Sequence, residues 1–235
     1  MAYMISGRCD FSLNGVSART LGLIVDELRP PPMAKRRYSV WKVGTDTDLT
    51  APDGDFDSPE YHIRARIIRQ PNHDNTLIYE FLASARTLEL SILPGYFFHV
   101  QQVLGVQPTT ALRGNELTYD IGFVLAPFKY LMDNSEITVD TETVNNPGNR
   151  YSKPVWHLTG CIGNAVLTVN SQVLQIKNFT GAAFIDTVKM IAYDSRNESI
   201  MPKTYGIFPY LQPGTNSVRF TGAVGVAVKI NGRCW

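Results

Sequence analysis

The sequence predicts a mainly β protein, all-β apart from one helix, in two domains. Three observations carry that prediction. Apolar and polar residues alternate over short runs, which is the period of a half-buried strand. Gly, Pro and Asn interrupt those runs, with 18 glycines and 14 prolines in 235 residues. Only one stretch has helical spacing. Hydrophobic residues make up 44% and charged residues 18%. That is enough apolar material for a packed core and too little charge for a disordered chain.

Phe11-Ser12-Leu13-Asn14-Gly15-Val16-Ser17 alternates around an Asn-Gly turn pair. Leu21-Gly22-Leu23-Ile24-Val25 is a short buried-strand candidate. It stops at Arg29-Pro30-Pro31-Pro32, where the prolines remove ladder donors and hold the backbone extended. Tyr38 to Val43 alternates again, and a polar loop is expected from Gly44 to Pro59. Tyr61-His62-Ile63-Arg64-Ala65-Arg66-Ile67 reads as a strand with one apolar and one basic face. Between Asp74 and Ala85, Leu77, Ile78, Phe81, Leu82 and Ala85 mark one face of a helix, with Asp74 or Asn75 as its cap. Strands resume over Leu88 to Leu93, and Pro94-Gly95 turns the chain into Tyr96 to Val100. A further strand runs from Leu117 to Leu125, where Ala126-Pro127 is expected to end it.

Asn145-Asn146-Pro147-Gly148-Asn149 is turn-rich, and the domain junction is expected between Leu131 and Asn149. The expected domains are 1–135 and 136–235. Beyond the junction come short strand candidates at Val155–Thr159, Ala165–Val169, Val173–Ile176, Val188–Tyr193, Ser217–Thr221 and Val224–Ile230. Their regular spacing indicates a β-sandwich.

The formal net charge of +1 leaves no overall basic excess for gripping nucleic acid. No apolar stretch approaches the roughly 20 residues that span a bilayer. The first residues lack the basic and apolar regions of a secretory signal, so the expectation is a protein made and kept in the cytoplasm until a carrier such as a virion takes it out. Cys9, Cys161 and Cys234 are odd in number and far apart, which suits reduced thiols better than a disulfide framework or a zinc site. Asp53, Asp55 and Asp57 mimic the opening of a calcium loop. Its sixth and twelfth positions would need Gly and Glu, and Ser58 and Arg64 stand there.

No catalytic set is expected either. Gly160-Cys161-Ile162-Gly163 departs from the nucleophile elbow. His157 and Cys161 on one strand would lie about 13 Å apart. The expectation is a protein that is not an enzyme and carries no cofactor or metal. The basic residues Lys35, Arg36, Arg37, Arg64, Arg66 and Arg69 read as subunit contacts or a solvated face.

Two stretches carry a family resemblance. Phe11 to Ser17, then Leu21-Gly22-Leu23-Ile24-Val25, then Pro30-Pro31-Pro32-Met33-Ala34-Lys35-Arg36-Arg37-Tyr38 resemble the Siphoviridae distal tail proteins (Dit) in order and spacing. The acidic run Asp53 to Asp57 resembles that family's loop before its next strand. In the second half, Asn146-Pro147-Gly148-Asn149 through Ser152-Lys153-Pro154-Val155 is similar to the family's strand opening. Gly206-Ile207-Phe208-Pro209-Tyr210-Leu211-Gln212-Pro213-Gly214-Thr215-Asn216-Ser217 is similar to its C-terminal signature.

The resemblance implies an N-terminal tail-tube-like β domain that closes a homohexameric ring, and a C-terminal galectin-like β-sandwich outside it. It implies a structural hub at the virion tail tip of a non-contractile phage, assembled in the host cytoplasm. The partners implied are the tail tube protein, the tail-associated fibre or lysin protein, and receptor-binding or baseplate proteins. DNA would only transit the bore, and no membrane is involved. The assembly candidates are Pro30, Pro31, Lys35, Arg36 and Arg37. The alternative is a monomeric carbohydrate-binding adhesion module. It needs a His, Asn and Arg set beside a stacking Trp. Here Leu158 and Thr159 follow His157, and Trp156 reads as core.

Overall fold

A computed structural model describes residues 9–43, 47–68, 75–110, 116–140 and 142–235. The chain divides into two compact units, Met1–Lys129 with Trp235, and Tyr130–Cys234.

The first unit opens with β1 (Phe11–Leu13) and β2 (Val16–Ser17). The turn between them puts Asn14 and Gly15 at φ 52° and 80°, the left-handed pair that an Asn-Gly hairpin turn requires. The Asn14 side chain donates to the Ser84 carbonyl and accepts from the N–H groups of Arg86 and Thr87, so it also staples the turn to a distant segment. Next come β3 (Ile24–Glu27), β4 (Arg36–Val43), β5 (Thr47–Phe56) and β6 (Glu60–Ile68). Helix α1 (Thr76–Ala83) precedes β7 (Thr87–Leu90), β8 (Tyr96–Thr110) and β9 (Glu116–Leu131). The main sheet runs β2-β1-β7-β8-β9-β6-β3, and β4 and β5 form a hairpin of their own.

The period-two reading of β6 holds residue by residue. Tyr61, Ile63, Ala65 and Ile67 are buried, while His62 and Arg64 are exposed. On β9, Tyr119, Ile121, Phe123 and Leu125 alternate inward in the same way. The helix adds Ile78 and Leu82 to that core. Asn75 makes no capping bond. Its side chain instead accepts from the Tyr119 hydroxyl at 2.6 Å. Asp74 lies outside the described residues.

Two expectations are corrected here. The polar loop expected over Gly44 to Pro59 is largely strand β5, paired with β4 from Val43↔Thr47 to Arg36↔Phe56. Its Asp, Gly and Pro residues have low strand propensity, and pairing with β4 outweighs it. Pro127 does not end β9, which continues to Leu131. The β6 ladder stops at Glu60↔Val124, so on that side the missing N–H of Pro127 costs no ladder bond.

The second unit comprises β10 (Glu136–Thr138), β11 (Thr143–Asn146), β12 (Val155–Val169), β13 (Gln172–Asp186), β14 (Ile191–Asp194), β15 (Thr204–Gly206), β16 (Gly214–Thr221) and β17 (Gly225–Lys229), with a last short strand at Arg233–Cys234. Val155–Thr159 and Ala165–Val169, expected as separate strands, are parts of the single strand β12. Gly160 and Gly163 sit at φ 60° and 74°, beside register shifts in its pairing with β13. These bulges bend the strand without ending it.

The β12–β13 hairpin is the spine of the unit. One half of it carries β17, β10 and β14, and the other half carries β16, β11 and β15. Its inward residues Trp156, Leu158, Leu167, Val169, Leu174, Ile176 and Ile185 are all at most 1% exposed and form one core.

Candidate functional site

The sequence-predicted assembly residues lie on the segment joining β3 to β4. The Tyr61 hydroxyl donates to the Arg29 carbonyl at 2.7 Å and fixes where the proline run begins. Burial holds the Tyr61 phenol well above its ordinary range. Pro30 and Pro32 are exposed, Pro31 is half-buried, Met33 is 74% exposed, and Ala34 is buried. Lys35, Arg36 and Arg37 then line the base of the β4–β5 hairpin, all exposed. The Lys35 carbonyl accepts from the Asp57 N–H at 2.8 Å, and the Arg37 Nε donates to the Asp57 carboxylate at 2.6 Å. The structure thus joins the basic cluster to the end of the acidic run. Opposite charges 20 residues apart were the available signal, and sequence reasoning left them unpaired.

The second basic group lies on the outer face of β6. Arg66 Nε is 2.8 Å from an Asp26 carboxylate oxygen, and His62 Nδ1 is 3.4 Å from Asp120. Arg64 stands in register between Glu27 of β3 and Asp120 of β9. Glu27 accepts from Arg29 at 2.8 Å, and that hydrogen bond holds its carboxyl below the usual range. The face that reads as basic along β6 alone is therefore a mixed-charge surface once β3 and β9 flank it. Such a surface has little free cationic charge for phosphates. Arg69 lies outside the described residues.

The motifs of the second half contribute buried joints through Asn146, Ser152, Leu211 and Asn216. Asn146 is 1% exposed; its amide donates to the Arg150 carbonyl and its oxygen accepts from the Gly148 N–H. Asn216 is 0% exposed. Its oxygen accepts from Gln212 N–H and from Asn170, and its amide donates to the Gln212 and Gly214 carbonyls. The two motifs meet. Asn146 pairs with Gly214 in the β11–β16 ladder, and Ser152 exchanges backbone hydrogen bonds with Leu211. Arg233, itself buried, donates to the Tyr151 carbonyl through Nε and Nη2 and lies 4.3 Å from that ring's centre. These side chains satisfy backbone groups in the turns beside the β11–β16 ladder.

Trp156 is 0% exposed, and its Nε1 donates to the Pro209 carbonyl at 3.1 Å, so it offers no stacking surface. His157 Nδ1 lies 2.9 Å from Glu136 and its ring stacks on Phe184 at 4.2 Å. The buried Cys161 thiol contacts the Leu158 carbonyl, and burial raises its pKa, which disfavours a nucleophilic thiolate. Among the described residues no group of three or more His, Cys, Asp or Glu is placed to hold a metal.

No family model and no curated protein matches the chain. Among solved structures, it is similar to the crystal structure of the SPP1 Dit (gp 19.1) protein, described as a paradigm of hub adsorption apparatus in Gram-positive infecting phages. The TM-score is 0.72 at 15% sequence identity, over 94% of this chain and 97% of that one. The chain therefore has a Dit-like, mainly β fold along nearly its whole length. No helix among the described residues is long and apolar enough to cross a membrane.

Proposed function

We propose that this protein is a structural hub of a phage tail tip. The observation that carries the reading is the fold likeness to the SPP1 hub protein over 94% of the chain. In this reading six copies close a ring through the first unit. The ring joins the tail tube to the tail-associated fibre or lysin protein and lets DNA pass. The second unit, read as a galectin-like sandwich, faces outward and carries receptor-binding or baseplate proteins. Its work is geometric: a head-to-tail interface that closes on itself gives a ring, and no bond is made or broken. The surface segment Pro30 to Arg37 is the assigned contact element. Extended proline-rich backbone loses little entropy on docking, and its exposed Met33 supplies apolar area.

Light scattering of the purified protein over a range of concentrations, with negative-stain imaging, tests the reading. A discrete ring of six copies with a central hole is the expected result. Open-ended filaments would indicate a tube subunit, and a monomer that binds cell-wall saccharide would indicate an adhesion module.

A further inference from the structure

The second unit has an open seam. Among the described residues, strands β10 and β11 are the outermost strands of the two halves that share the core, each paired on one side only, to β17 and β16. A groove of about 540 Å³ lies between them. Val144 and Ile230 contribute to its lining, as does Ile137, an isoleucine 47% exposed although its ladder partner Val228 is buried. An isoleucine on the core-facing side of a sheet is left half in water here, an uncovered apolar edge.

The backbone of both edges presents unused groups. Val139 N–H donates to Val226, and Val218 N–H donates to Glu142. Antiparallel alternation from those bonds turns the N–H and C=O of Glu136, Thr138 and Asn145 away from their ladders, and Thr138 and Asn145 line the groove. The charge is one-sided. Residues 130–149 hold Asp133, Glu136, Asp140 and Glu142 with no Lys or Arg. Glu136 meets His157, and Glu142 is 3.9 Å from Arg219. Asp133 and Asp140 stand in the groove lining itself.

We propose that this seam binds an extended, lysine- or arginine-bearing segment of a partner protein, which adds as a strand against β10 or β11. Main-chain bonds supply the attachment, the half-exposed Ile137 takes an apolar side chain, and the two aspartates select cationic side chains. No aromatic side chain is among the described lining residues, which favours peptide over saccharide, since sugars stack on rings. The inference rests on the hub reading only in supplying a reason for an outward partner site.

The test uses the full chain and a labelled hexapeptide alternating valine with lysine. Fluorescence anisotropy follows binding, and hydrogen exchange follows residues 133–146. Saturable binding with slowed exchange in that segment is expected. The double variant D133N/D140N should weaken it by about threefold to tenfold, the span of two exposed charge contacts. Peptide N-methylated at every residue should not bind, because neither of its edges can complete the ladder. Absence of binding, equal binding by the N-methylated or the glutamate-for-lysine peptide, or protection of 133–146 by N-acetylglucosamine oligomers in place of the peptide would each overturn the proposal. So would protection that appears on concentrating the protein alone, which would assign the seam to a second copy. Ring formation is scored separately by light scattering. A ring that ignores the peptide refutes the seam alone, and a peptide-binding monomer refutes the hub alone.

Discussion

An ordinary Cβ at position 148 would sit 2.4 Å from the Arg233 carbonyl oxygen and 2.8 Å from its nitrogen. Those atoms are backbone and cannot swing aside, so Gly148 is required by close approach. Gly148→Ala is expected to lower stability by about 1–3 kcal/mol, the usual range for overpacking. Thermal unfolding followed by near-ultraviolet circular dichroism checks it, and an unchanged midpoint would refute the packing argument. Asn146 and Asn216 belong to the same scale. Their identities stand out in the sequence because they recur in a signature, yet their work is to hold turns closed. The physical reason is that a buried amide surrounded by turn backbone satisfies that backbone first.

The β4–β5 hairpin shows the limits of local pattern. Strand β4 was legible from alternation over Tyr38 to Val43. Its partner was not, because Asp, Gly and Pro over residues 47–56 suit a loop as well as an edge ladder. Only pairing decides between them. At its base, Arg37 and Asp57 are more than half exposed, and exposed pairs contribute little to stability. Charge reversal of Arg36 and Arg37 to Glu is therefore expected to shift the unfolding free energy by less than about 1 kcal/mol while abolishing ring formation. Denaturant melts alongside light scattering separate the two effects. Rings of unchanged mass would remove these residues from the assembly surface. Helix α1 was legible for the opposite reason: Ile78 and Leu82, four apart, need no distant partner to declare a face, although Leu77, expected on that face, is 62% exposed.

At the scale of the whole molecule, the apolar residues gather into two cores, one headed by Phe11, Tyr119 and Phe123 and the other by Trp156 and Leu167. Each draws on its own stretch of chain. Residues 130–234 expressed alone are accordingly expected to fold, giving a dispersed amide spectrum and a cooperative melt that reports the burial of Trp156. A collapsed spectrum without that transition would show that the second core depends on the first unit. The end of the chain is the exception to this contiguity. The Trp235 ring meets Phe56 at 4.8 Å and Phe128 at 5.2 Å between ring centres and belongs with the first unit. Three aromatic rings widely separated along the chain give no sequence signal of their meeting.

The β class, helix α1, the inward faces of β6 and β9 and the Asn-Gly turn were all determined by the sequence, because period and turn chemistry act within a few residues. The Dit-like fold was legible too, from the order of short motifs in both halves. Tertiary structure alone decided that β12 bends through its glycines, that carboxylates of β3 and β9 flank the arginines of β6, and that β10 and β11 leave a seam open between them. Each of these depends on which strand lies beside which. Lateral pairing joins residues far apart in the chain, and a local pattern fixes the face a residue takes without naming its neighbour.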